Sequence, residues 1–233
     1  MKLSDLAFGC YLYGAFNNYD KSYKAFLKTT DYSTDLTISN HRKELLIWLN
    51  SWGCRQFAIE YHEIASQEIL SWYYNYKAVL PGLGRNLWEL TKDDFASLGP
   101  AYESLLKCTA SLKKLKGGTS HISIGPTGAS KILFAVRPKA LIPWDESIRQ
   151  HYGYENDKKS YLSYLLKVKQ ILEKLRKQCA KNGFQLEDLP RIFKRPHSSI
   201  PKLIDEYHWV TISNNCSTPN SETLLLWAKW DQN

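Results

Sequence analysis

The residues best suited to chemistry lie between His121 and Arg149. Gly125 and Gly128 permit a turn that brings the backbone close to a ligand, and Thr127 opens a helix whose free N–H groups point at the same place. Such a helix start attracts a phosphate. Ser130 and Lys131 stand in its first turn and add side-chain donors. After a Pro-bearing loop, Pro143-Trp144-Asp145 leads into a second helix, with Arg149 four positions on. Asp is a favoured N-cap, so Asp145 reads as a cap, as a reactive carboxylate, or as both. The two glycines equally describe a plain turn, and Lys131 a solvated helix lysine. Arg149 equally reads as an ion-pair partner of Asp145 or Glu146, and Trp144 as a packing residue.

The same stretch resembles the core of the helix-hairpin-helix superfamily of base-excision DNA glycosylases, over about 30 of the 233 residues. Gly125-Pro126-Thr127-Gly128-Ala129-Ser130 stands where that family has its hairpin, and Ile132, Leu133 and Phe134 where it has a buried helix. Pro143-Trp144-Asp145 matches its Pro-x-Asp, and Arg149 the basic residue that follows. The resemblance implies a mainly α, two-lobed fold with a helix-hairpin-helix element and a cleft that accepts a flipped-out nucleotide. It implies that Asp145 is the catalytic carboxylate. The family's Gly-x-Gly is replaced by glycines three apart. Bifunctional members carry a nucleophilic Lys about a full helix before the Asp. Lys131 precedes Asp145 by only 14 residues, inside the helix, which favours hydrolysis by water over a lyase route. The four-cysteine cluster of some members is missing, and one Asp is enough for the chemistry, so neither metal nor other cofactor is expected.

A base stacked in a duplex is out of reach and must be rotated out and held. Backbone amides, Lys and Arg hold the distorted strand by its phosphates. Aromatic faces stack on the extruded base. Breaking the N-glycosidic bond builds positive charge on the sugar, which a nearby carboxylate stabilises while it orients or deprotonates water. The expectation is therefore a monofunctional DNA glycosylase that leaves an abasic site. Gly125, Thr127, Gly128, Ser130, Lys131, Arg137 and Arg149 are the expected DNA contacts. Trp144, Trp52, Tyr74 and Tyr19 are the candidate base pocket, although packing in the core is the stronger reading of the first three; Tyr19, with Tyr11, Tyr13 and Phe16, reads also as a packed terminal segment, and Asn17 and Asn18 beside it have side chains suited to a base edge. Glu60 and Glu63 are candidates for a second carboxylate. Departure from the common pattern points to an uncommon substrate, such as an alkylated base or a bulky modified base in phage DNA. Rival readings are a non-catalytic DNA-binding module, in which Asp145 only caps, and a helical RNA-binding or toxin-like protein that uses the same surface.

Charge supports a polyanionic partner, with double-stranded DNA the expected one. The chain carries a net charge of +8, but Lys107–Lys202 alone holds 20 Lys and Arg against 7 Asp and Glu. A positive middle of this kind is a sequence-independent phosphate binder. Part of it is an ordinary solvated face, since Lys158–Lys181 contributes eight of the basic residues. The five cysteines and six histidines are scattered without metal-ligand spacing. Widely spaced cysteines in odd number fit reduced thiols. No apolar run reaches the length of a membrane span. The expectation is a cytoplasmic, nucleoid-associated monomer, one domain over 1–233, with the hairpin-helix and Asp segment at 115–155.

The elements that must position these residues read as mostly helical. Leu45, Leu46, Trp48, Leu49 and Trp52 follow helical spacing and stop at Gly53. Arg55–Tyr76 is a second amphipathic stretch, and Asp93–Leu115 a third, interrupted at Gly99-Pro100. Lys116-Gly117-Gly118-Thr119 is a turn, Thr127–Val136 a helix that stops before Pro138, and Asp145–Tyr152 another helix. Tyr161, Leu165, Val168, Leu172, Leu175 and Cys179 mark the clearest amphipathic helix. Tyr207–Ile212 reads as a short strand, and Leu224–Trp230 as a short terminal element.

Overall fold

A computed structural model of the chain describes residues 1–16 and 19–230. It is mainly helical, at 64% helix, with one two-stranded sheet. The helices before the sheet are α1 (Leu3–Phe16), α2 (Tyr19–Thr29), α3 (Ser39–Ser51), α4 (His62–Tyr76) and α5 (Lys92–Lys107). The antiparallel strands β1 (Thr109–Leu115) and β2 (Gly118–Ser123) follow. After them come α6 (Gly125–Val136), α7 (Glu146–His151), α8 (Lys158–Lys181), α9 (Leu189–Ile192), α10 (Ile200–His208) and α11 (Ser221–Trp230). A π-helical turn, Trp209–Ser213, extends α10. No helix among the described residues is long and apolar enough to cross a membrane.

One hydrophobic cluster joins elements from α1 to α10. Its axis is α6, which is buried from Gly128 to Val136. A helix apolar all round belongs inside, and its neighbours α3 and α5 pack on it. Four of the helix starts are fixed by side chains. Thr91 and Asp94 form a capping box on α5, Asp145 caps α7, Asp157 caps α8 and Ser199 caps α10. Each cap satisfies an amide that the first helical turn leaves open.

Several sequence expectations are corrected here. The helix expected over Asp93–Leu115 ends at Lys107 and is not interrupted at Gly99-Pro100. Gly99 instead lets α8 come close, since a β-carbon there would lie 3.3 Å from Leu162 Cδ1. Beyond Cys108 the backbone is extended and pairs with β2, so a β-hairpin stands between α5 and α6. The α4 helix begins at His62 rather than Arg55. Tyr207–Ile212 is no strand: its alternating apolar residues belong to the end of α10 and to the widened turn after it.

Candidate active site

The site is a cavity of about 360 Å³ at the junction of α1, the C-terminal end of α3, the first turns of α6, the start of α7, and α10 with its π-turn. Four aromatic residues, Tyr13, Trp52, Trp144 and Trp209, line it together with Thr127, Lys131, Asp145, Glu146 and Asp205.

Asp145 stands where the loop after α6 enters α7. Its Oδ1 accepts the amide of Ile148 at 2.8 Å, and its Oδ2 accepts the hydroxyl of Ser213 at 2.7 Å. The first bond is the cap, and the second ties the carboxylate to the π-turn. Trp144, just before it, is fully buried: its indole N–H donates to Pro126 O at 3.2 Å, and its ring stacks on Tyr164 at 5.5 Å. Ser130 locks the loop onto α6, accepting the Trp144 amide at 3.1 Å and donating to Thr127 O at 3.0 Å. Arg149 donates to Thr127 Oγ1 at 2.9 Å and lies 5.6 Å from the Trp144 ring centroid. Its burial lowers its own pKa.

Lys131 reaches from α6 to α3, where its ammonium donates to the carbonyl of Trp52 at 2.6 Å. That carbonyl lies at the negative end of α3, a favourable place for a cation. The floor of the site comes from α10. Lys202 is wholly buried, 3.2 Å from Asp205 Oδ2 and 3.3 Å from Glu206 Oε1, under the rings of Tyr13 at 4.2 Å and Trp52 at 5.0 Å. Arg195 completes the cluster with a 2.7 Å pair to Glu206 Oε1. Burial pushes the Asp205 carboxyl up to about 6, with Lys202 opposing and the charge of Asp145 adding to the rise. Gly9 lets α1 pack onto α10, since a β-carbon there would lie 2.8 Å from Tyr207 Cδ2. That approach brings Tyr13 over Lys202.

The structure brings Asp145, Thr127, Lys131, Trp144 and Trp52 to this one cavity. It does not assemble the expected DNA-contact set. Ser130 is fully buried and holds the Trp144 loop, and Arg149 is buried against Thr127 and Trp144 rather than paired with Asp145 or Glu146. Arg137 is also buried, donating to the carbonyls of Pro81 and Val136. Gly128 is a packing glycine: a β-carbon would lie 2.9 Å from Gln56 Nε2 and from Ile124 Cγ2. Gly125, at φ +68, makes the tight entry into α6 and is half-buried. Tyr74 is exposed on α4, beside Lys77, and does not line the cavity; nor do Glu60 and Glu63. The side chain of Tyr19, and the whole of Asn17 and Asn18, lie outside the described residues.

Asp205, Lys202, Ser213 and Trp209 escaped the sequence reading. The available signal was Lys202-x-x-Asp205-Glu206 inside the apolar run Ile200, Leu203, Ile204, where charges on a buried helix must find one another. No known protein family, curated protein or solved structure matches this chain.

Proposed function

We propose that this protein is a monofunctional DNA glycosylase, hydrolysing the N-glycosidic bond of a base rotated out of double-stranded DNA. The observation that carries the reading is the cavity itself, where aromatic rings and three carboxylates, Asp145, Glu146 and Asp205, share one space. The rings suit a stacked base. Asp145, held by two hydrogen bonds, suits the developing sugar cation. The exposed lysines of the hairpin, Lys113, Lys114 and Lys116, suit the flanking phosphates. Lys131 is committed to the Trp52 carbonyl, which favours water over a lysine nucleophile.

The test is alkali-induced strand cleavage on a panel of duplexes bearing modified bases, with Asp145→Asn beside wild type. Asparagine is as good an N-cap as aspartate, so the variant keeps the cap on α7; it loses the charge and the second acceptor oxygen that holds Ser213. Breaks that need alkali and vanish in Asp145→Asn are the expected result. Tight binding with no breaks in either protein would favour the non-catalytic module, in which the two bonds to Asp145 are purely structural.

A further inference from the structure

Besides Asp145 and its chain neighbour Glu146, the cavity contains a carboxylate from another element, Asp205, for which single-aspartate hydrolysis has no use. We infer that Asp205 is the acid that protonates the departing base, while Asp145 acts on sugar and water; this rests on the hydrolase reading above. The two carboxylates line the same space but come from different elements and sit in different surroundings. Asp145 accepts hydrogen bonds through both oxygens, at 2.8 and 2.7 Å. Asp205 is 13% exposed and pairs with Lys202 at 3.2 Å. That ammonium also serves Glu206 at 3.3 Å, so a single lysine faces two acids.

The charged and titratable groups around Asp205 include Lys202 and Glu206 on α10, Lys131 on α6, Asp145 and Glu146 at the start of α7, and the buried Tyr164 on α8. Tyr13 on α1 covers Lys202, and Arg195 neutralises the far side of Glu206. With its carboxyl pushed up to about 6, Asp205 holds a proton in part of the molecules near neutral pH. Carboxylates whose surroundings separate their proton affinities divide acid and base roles between them.

The step balances. As the sugar–base bond breaks, its electron pair passes to the base, and the carboxyl proton of Asp205 moves onto the base, which leaves neutral. Water adds to the sugar carbon and gives a proton to Asp145. The proton lost by Asp205 matches the one gained by Asp145, and exchange with solvent restores both. Asp205 therefore defines a substrate class: bases that are neutral in DNA and need protonation to leave, rather than bases already cationic through alkylation.

The test uses the full chain on duplexes containing neutral lesions (hypoxanthine, uracil, 8-oxoguanine, 5-hydroxymethylcytosine) or cationic 7-methylguanine, between pH 8 and 6. Wild type, Asp205→Asn, Asp205→Glu and Asp145→Asn are compared, with thermal melting of each. The wild-type rate on a neutral base rises as the pH falls. Asp205→Asn slows that reaction by about 100-fold or more and flattens its pH profile, because an amide cannot give up a proton. It slows 7-methylguanine excision far less, and Asp205→Glu restores part of the neutral-base rate. Retained neutral-base excision with an unchanged profile in Asp205→Asn, still abolished by Asp145→Asn, overturns the role of Asp205 alone. Equal loss on neutral and cationic bases overturns it as well, as does wild-type excision confined to 7-methylguanine. No excision by wild type removes the hydrolase reading itself.

Discussion

At the scale of single residues, placement in the interior decides what each titratable group does. His208 is fully enclosed between two tyrosines, with Tyr152 Oη 3.1 Å from Nε2 and Tyr164 Oη 3.0 Å from Nδ1. Burial, aided by the positive charges around it, pushes its pKa down to about 3 from an ordinary 6.5. Below 6.5 the unfolded chain takes up a proton that the folded chain refuses. Stability from this group is therefore full above 6.5 and lost as the pH falls towards 3. Asp205 works in the opposite sense: the folded chain takes its proton first, between about 6 and 3.8, and offsets part of that loss. His208→Gln keeps a donor and an acceptor for the tyrosines and removes the titration. We expect its denaturant midpoint to fall less than that of wild type between pH 6.5 and 4.5; equal slopes would mean that His208 does not titrate in this way. Asp145 was legible as a cap because a Pro-x-Asp before a helical turn is a local signal. Ser213, which holds the other oxygen of Asp145, lies 68 residues away and leaves no local trace.

At the scale of elements, glycine separates contact from propensity. A methyl group at Gly128 would meet Gln56 and Ile124 at 2.9 Å and Phe57 at 3.3 Å, all in the packed wall behind the site. Gln56 cannot yield freely, because its amide donates to Ile124 O at 2.7 Å and so fixes the entry into α6. Gly128→Ala should cost about 1–3 kcal/mol, as overpacking does. Gly99→Ala meets only flexible side chains, Leu162 Cδ1 at 3.3 Å and Lys158 Cδ at 3.8 Å, and gains roughly 1 kcal/mol of helix propensity. It should be neutral or slightly stabilising. Urea unfolding of both variants tests the contrast, and equal effects would contradict it. Amphipathic α8 was readable to within a few residues because its apolar positions repeat at helical steps over 24 residues. The β-hairpin was not, because β1 begins directly after α5 and only its turn glycines are distinctive. The π-turn was not, because Val210 and Ile212 suit a strand as well as a widened helical turn.

At the scale of the whole molecule, net charge overstates the surface available to a polyanion. Lys131, Arg137, Arg149 and Lys202 all fall within the basic middle of the sequence, yet all are buried. Composition cannot separate these internal cations from external ones; only the fold does. Between Glu103 and Asp145 there is no acidic residue, and the exposed cations of that stretch include Lys113, Lys114 and Lys116 around the tip of the hairpin. The hairpin leads directly into Ile124, whose carbonyl is held by Gln56, a residue of the cavity wall. On the proposed reading, the hairpin lysines contact phosphates that flank the extruded base. Each phosphate neutralised on duplex DNA adds about 0.9 to the slope of log affinity against log salt. Replacing Lys113, Lys114 and Lys116 together by Gln should lower that slope by up to about 3 while leaving thermal stability unchanged, since all three are solvated. Arg137→Gln should do the reverse, costing stability through its lost bonds to Pro81 and Val136 while leaving the slope intact. Fluorescence titrations across a salt series decide between them. A slope indifferent to the hairpin would move the phosphate track to the exposed face of α8, where Lys159, Lys174, Arg176 and Lys177 point to solvent.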